Sequence, residues 1–163
     1  MRFAYADPPY IGQAKKHYQC EEVDHAALVA RLVNEYPDGW ALSLSSPTLH
    51  QVLPLCPPSV RVMAWVKPFA VFKPNVNPAY AWEPVIVSGG RRRTRQQATV
   101  RDWVSANITL KRGLSGAKPD PFWFWLFSVL NIEDGDVFDD IFPGTGRGSE
   151  ALKEWLWQPS TAS

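Results

Sequence analysis

Cysteine is nearly missing from this chain: Cys20 and Cys56 are the only two in 163 residues. Two thiols without metal-ligand spacing, and without histidine in a binding pattern beside them, argue against a disulfide framework or a zinc-type centre and are expected to stay reduced. Long apolar runs are missing as well. None approaches the roughly 18 residues of a membrane span, and the N-terminus enters a strand directly, so a soluble, cytoplasmic protein is expected. No internal repeat or low-complexity tract occurs. What is present is a chain 45% hydrophobic and 13% aromatic, enough to bury a substantial core as one domain spanning 1–163.

The short apolar run Phe3-Ala4-Tyr5-Ala6 ends in Asp7-Pro8-Pro9-Tyr10. Two prolines after a carboxylate remove two backbone donors and fix two φ angles, so this turn offers acceptors and little else. Such a site suits an NH2 group, and the ring of Tyr10 adds a flat face for a planar heterocycle. Together they describe a pocket for the exocyclic amine of a nucleobase. Taken alone, the tetrapeptide reads equally well as a strand-ending turn.

At the other end, Val137 to Phe142 forms a strand that runs into Pro143-Gly144-Thr145-Gly146-Arg147-Gly148, and a helix is expected from Ser149 to about Trp157. Glycines permit close approach of a ligand to the backbone, and a helix N-terminus offers free N–H groups. No Lys-Ser/Thr pair follows, which excludes a phosphate-cradling P-loop.

Between these ends strands and helices alternate, the rhythm of a parallel α/β sheet. Strands are expected at 2–7, 40–44, 61–66, 82–87 and 137–142. Asp24 is expected to cap a helix to about Tyr36, with Leu28, Leu32, Val33 and Tyr36 on one face. A short helix near 48–53 should end before Pro54, and Pro68 to Ala79 reads as loop. Asp120 as N-cap with Pro121 in first position starts a helix to Leu130, whose run Phe122-Trp123-Phe124-Trp125-Leu126-Phe127 points apolar groups all round and is expected to be buried on most sides.

The paired end motifs, with Lys118-Pro119 before the second, resemble the amino-directed, S-adenosylmethionine-dependent DNA methyltransferases in permuted order: the DPPY-type motif first, the DPFxGSG-type motif last. Asp140-Ile141-Phe142-Pro143-Gly144-Thr145-Gly146 follows the latter, with Ile141 for the usual proline and Thr145 for serine. The middle of the chain is similar to the DPPW-type adenine-N6 methyltransferases at His17-Tyr18, Trp65-Val66-Lys67, Ala81-Trp82-Glu83-Pro84 and Ser115-Gly116-Ala117-Lys118-Pro119.

The resemblance implies a Rossmann-like methyltransferase fold, mostly parallel with helices on both faces, circularly permuted and truncated. It implies S-adenosyl-L-methionine as cofactor, held by Lys118, Pro119, Asp140, Phe142, Pro143, Gly144, Thr145 and Gly146. Asp7, Pro8, Pro9 and Tyr10 would be catalytic, with Asp7 and the Pro8 carbonyl accepting the amine protons and Tyr10 stacking on an extruded base. The implied activity is adenine-N6 methylation of DNA in a bacterial host or phage. Cytosine-N4 methylation, RNA adenine methylation and a catalytically silent nucleic-acid-binding subunit remain open alternatives. The strand whose acidic residue often holds the cofactor ribose in larger relatives is not evident here, which leaves room for Glu150, Lys153 or Gln158 as replacement, or for completion by a homodimer or partner subunit.

The chain's net charge of +1 conceals segregation. The segment 89–112 carries Arg91, Arg92, Arg93, Arg95, Arg101, Lys111 and Arg112 against Asp102 alone. Such a run suits a polyanion, because phosphate contacts release condensed counterions. Arg91, Arg92, Arg93 and Arg95 are therefore expected to contact DNA, in a recognition loop that leaves a Gly89-Gly90 hinge on the side of Asp7 and orders in part on binding.

Overall fold

Six strands form one sheet in a computed structural model that describes residues 1–12, 22–69, 74–108 and 117–157. They are β1 (Arg2–Ala6), β2 (Gly39–Ser43), β3 (Arg61–Val66), β4 (Trp82–Gly89), β5 (Trp103–Ser105) and β6 (Val137–Asp140), in spatial order β5-β3-β4-β2-β1-β6. β1 lies between β2 and β6, parallel to both. β3 and β5 are also parallel, whereas β4 runs antiparallel to its neighbours β2 and β3. Five strands thus share one direction and β4 alone opposes them.

Alternation along the strands divides the core into two layers. Phe3, Tyr5, Trp65, Val85 and Val87 face α3 (Asp120–Leu130) and α4 (Arg147–Trp157). Ala4, Ala6, Leu42 and Ile86 face α1 (His25–Glu35) and α2 (Leu49–Val52). Asp24 caps α1 by accepting from the Ala27 N–H at 3.0 Å. The buried stripe of α1 holds Leu28, Val29 and Leu32, with Tyr36 beyond it, while Val33, expected in that stripe, is exposed at its rim.

Several boundaries differ from expectation. α2 does end before Pro54, at Val52, but the chain continues into a 3-10 turn, Leu53–Leu55, where a missing N–H is tolerated in the first positions. Pro119, not Asp120, is the N-cap of α3, with Asp120 already helical. The aromatic run of α3 is buried on most sides: Trp123 meets Tyr5 edge-on at 5.0 Å, and Phe124 faces Trp155 of α4 at 6.2 Å. Trp103–Ser105, read from sequence as part of a segment that orders on binding, is an edge strand on β3. Among the described residues no helix is long and apolar enough to cross a membrane.

Gly89 and Gly90 form a close backbone crossing in place of the expected hinge. The Gly90 N–H donates to the Asp38 carbonyl at 2.8 Å and the Arg91 N–H to that of Leu130 at 2.9 Å. Gly89 has φ +67°, and a Cβ there would stand 2.7 Å from the Asp38 carbonyl oxygen. Gly135 has a similar φ of +83° but open space around it. Gly135→Ala should therefore cost about 1 kcal/mol from backbone strain alone, and Gly89→Ala about 2 kcal/mol or more, because strand backbone must also move. Urea unfolding of the two variants checks the difference.

Candidate active site

Because β1 and β6 are parallel neighbours with Tyr5 opposite Asp140, the chain leaves both strands at the same edge of the sheet. Asp7-Pro8-Pro9-Tyr10 and the glycine turn after Asp140 therefore stand side by side. β1 leads to α1 on one face and β6 to α4 on the other, so the crevice between them lies at a topological switch point, the usual ligand position of α/β sheets. Lys118-Pro119, at the start of α3, reaches this edge too.

Lys118 is the centre of the first half of the site. Its side chain is 3% exposed, and its ammonium lies 3.0 Å from Asp7 Oδ2, 3.0 Å from Glu83 Oε2 and 3.4 Å from the Tyr10 hydroxyl. The Tyr10 hydroxyl in turn donates to Glu83 Oε2 at 2.7 Å, and Lys67 donates to Glu83 Oε1 at 2.8 Å. Trp65 and Phe122 rings lie 5.1 and 5.8 Å from the Lys118 ammonium, closing its apolar side. Asp7 meets Lys118 through Oδ2 alone.

Asp140 is the centre of the second half. Its Oδ1 is buried with no hydrogen-bond partner among the described residues, as is Trp123 Nε1. Gly148 makes room for this carboxylate: a Cβ there would meet Asp140 Oδ2 at 2.7 Å and the Trp123 ring at 2.8 Å. The turn between β6 and α4 needs glycine at Gly144 (φ +49°) and Gly146 (φ +77°), where an added Cβ would enter nearly open space. Arg147, the first residue of α4, bonds Asp120 at 2.7 Å and Glu154 at 2.9 Å, which ties α4 to the start of α3.

No family model matches the chain, and no curated protein matches it. Among solved structures it is similar to M1.HpyAVI in a SAM complex, at 17% identity and TM-score 0.62, over 94% of this chain and 78% of the other. A second M1.HpyAVI structure matches at 17% identity and TM-score 0.57, over 94% and 76%. The fold is the Rossmann-like methyltransferase fold.

On this fold the carboxylates of the site sit in contrasting environments. Burial opposes ionisation of Glu83, but Lys118 and Lys67 outweigh it and hold its pKa down at about 2. Burial raises Asp7, and the Glu83 charge adds to that, with Lys118 opposing both. Burial also disfavours the charged form of Lys118, yet Asp7, Tyr5 and Glu83 keep it protonated. Asp140 is pushed up to about 6 by burial, a donated hydrogen bond from the Phe142 N–H notwithstanding.

The remaining predicted residues fall elsewhere. β4 runs against the other strands, so the chain leaves it at the edge opposite Asp7, and the expectation that the arginine run emerges beside the amine pocket is corrected. Arg91 is engaged there by Asp136 at 2.6 Å and Glu133 at 3.3 Å, and Arg93 donates to the Ser128 and Ala98 carbonyls. Arg92 and Arg95 are exposed. Glu150 pairs with Arg147 and lies on the exposed side of α4. His17-Tyr18, Cys20, Lys111, Arg112, Ser115-Gly116 and Gln158 lie outside the described residues. Glu83 and Lys67 carry the site's charge balance but entered the sequence reading only inside the Trp-Glu-Pro and Trp-Val-Lys similarities. The signal that could have found them is a charged pair flanking two buried strands.

Glu83→Gln should destabilise the fold by about 3 kcal/mol at pH 7, since it leaves Lys118 and Lys67 undercompensated. The native pKa lies below the unfolded one, so the stabilisation is complete above pH 4.5 and is lost as pH falls toward 2. Urea unfolding of both proteins at pH 7 and pH 3 should show the gap narrowing in acid.

Proposed function

We propose that the protein is an S-adenosylmethionine-dependent methyltransferase that modifies the exocyclic N6 amine of adenine in DNA. The observation that carries this reading is the pair of carboxylates at neighbouring strand ends, Asp7 and Asp140, the latter with a buried Oδ1 that has no hydrogen-bond partner among the described residues. One acceptor stands among prolines that bring no N–H, and the other is an orphaned acceptor beside a glycine turn. The shared fold with M1.HpyAVI, whose structure contains SAM, supports the cofactor, and the motif order, reversed relative to the usual arrangement, supports a permuted chain.

The residues present fit that cofactor. Asp140 would accept from its ammonium, with Phe142, Pro143, Gly144, Thr145 and Gly146 forming the turn beside it and Pro119 the facing wall. The cofactor supplies an electrophilic methyl group on a sulfonium centre. Asp7 Oδ1 and the Pro8 carbonyl would accept hydrogen bonds from the two amine N–H groups, which returns lone-pair density to a nitrogen otherwise delocalised into its ring, and the methylated nitrogen would then lose one proton to Asp7 or water. Lys118 belongs to this side of the site: its donors are committed to Asp7, Glu83 and Tyr10, so it orients Asp7 and opposes the rise in its pKa that burial brings. Tyr10 offers its ring to the base while its hydroxyl is held by Glu83.

Incubation with S-adenosylmethionine and DNA, followed by nucleoside mass spectrometry, should yield N6-methyladenine. Cytosine-N4 product or product only with RNA would reassign the substrate, and no product would favour a silent subunit. Asp7→Ala should lower the rate at least about a hundredfold. Tyr10→Trp keeps a stacking face and should retain most activity, whereas Tyr10→Ala should lose roughly ten- to a hundredfold.

The raised Asp140 pKa gives a separate test. Below about pH 6 its carboxyl is protonated and cannot pair with an ammonium. Affinity for S-adenosylhomocysteine should therefore rise as pH increases toward 6 and level off above 7. Asp140→Asn should bind weakly and without that dependence, as calorimetric titration across pH 5–8 would show.

A further inference from the structure

A cleft of about 370 Å³ opens where β3 begins, between that strand and the segment leading to β5. Arg61, Arg93, Arg95 and Arg101 line it, against one carboxylate, Asp102. We propose that this cleft binds the phosphate backbone of the nucleic acid whose base enters the Asp7 pocket, an inference that rests on the function proposed above.

Three observations carry it. The first is charge: four guanidinium groups around one carboxylate repel one another in the free protein, and an anion would relieve that. The single ion pair, Arg61 to Asp102 at 3.2 Å, joins side chains that are 67% and 55% exposed, so water screens it and Arg61 remains able to bind phosphate.

The second is preorganisation. The chain between Arg91 and Asp102 has no helix or strand, yet it is fastened along its length. Arg93 donates to the Ser128 carbonyl, Gln97 and Asn131 exchange amide hydrogen bonds at 3.1 and 3.2 Å, and Trp125 donates to the Arg101 carbonyl at 2.9 Å. These bonds fix the backbone and turn the Arg95 and Arg101 side chains outward, where both residues are exposed. The exposed Trp103 ring lies 5.4 Å from the Arg101 guanidinium, adding an aromatic face to the basic surface.

The third is spacing. β3 runs from Arg61 at the cleft to Val66, and the next residue, Lys67, bonds Glu83 of the amine site. That strand spans about 20 Å at roughly 3.3 Å per residue, or about six base-pair steps of 3.4 Å. A single small anion would not need four arginines spread along an open cleft, whereas a backbone that continues to the amine pocket would meet them in passing.

The test is binding of a fluorescent 30-base-pair DNA to wild type and to the triple variant Arg61→Ser, Arg95→Ser, Arg101→Ser, over a range of salt. Arg93 is left in place because it fastens the segment. Affinity should fall at least tenfold at low salt, and the slope of log K against log salt should flatten by about two to three units, one per lost phosphate. S-adenosylhomocysteine binding should be unchanged, which shows the variant is folded. A control variant, Arg31→Ser, removes charge from an exposed position on α1 and should bind like wild type. Equal slopes for wild type and triple variant, or the same loss per charge in the control, would overturn the cleft while leaving the methyltransferase reading intact. Displacement of DNA by millimolar inorganic phosphate, with no difference in salt slope, would mark a small-anion site and also overturn it. Failure of Asp7→Ala to reduce methylation would instead overturn the reading on which the ligand's identity rests.

Discussion

The parallel pairing of the first strand with the last is the constraint on which the site depends. β1 and β6 are separated by most of the chain, and their register places Tyr5 opposite Asp140. The pairing is reinforced at its far end, where the N-terminal ammonium meets Asp136 at 2.7 Å and the Val137 N–H donates to the Met1 carbonyl at 2.9 Å. A slip of one residue would turn Phe3 and Tyr5 away from α3 and send Ala4 and Ala6 into the aromatic layer. Core packing therefore sets the register, and the register sets the separation of the two acidic residues that leave the strands.

Electrostatics then distinguishes those acids and Glu83 by their surroundings. Glu83 lies between two lysines and stays ionised to about pH 2, so it serves as fixed negative charge. Lys118 is buried and can remain charged only because Glu83 and Asp7 face it. Asp7 shares that lysine through one oxygen. Two lysines and two carboxylates balance, so Asp7 can meet a neutral amine as an acceptor without leaving an uncompensated charge in the crevice.

The parts of the fold legible in sequence were those with local signals. Asp24 before an apolar stripe gave α1, Asp120-Pro121 located the start of α3 to within one residue, and Gly144 and Gly146 marked the turn after β6, where positive φ requires them. What sequence did not reveal was the direction of β4. In a parallel sheet the residues that follow a strand reach the ligand edge, and that rule placed the arginine run at the pocket. In a reversed strand the residues at its start reach that edge, which is why Glu83 belongs to the site and Arg91 pairs with Asp136 at the far side. One strand direction accounts for both the missed acid and the misplaced run. β5 escaped for another reason: three residues on a sheet edge carry too short a pattern to be read.

Two orphaned polar atoms, one on Asp140 at the end of β6 and one on Trp123 in the α3 aromatic layer, bear on how the free protein is poised. Asp140 Oδ1 is a buried acceptor and Trp123 Nε1 a buried donor, and neither has a partner among the described residues. Each costs on the order of 1–3 kcal/mol relative to a satisfied group. The aromatic layer cannot relax around them: Trp123 is held edge-on against Tyr5 and stacked on Phe127, and Gly148 already supplies the closest approach α4 can make. The cost is thus built into packing that the sheet enforces, and it is offset only when something polar enters the crevice. For Asp140 the same burial disfavours the charged form and raises its pKa to about 6, so above that pH a cation arriving there would gain a pairing partner and relieve the desolvated charge at once. A site arranged in this way would bind a polar ligand partly by removing strain of its own, which would link the rigidity of the α3 aromatic layer to what enters at the strand ends.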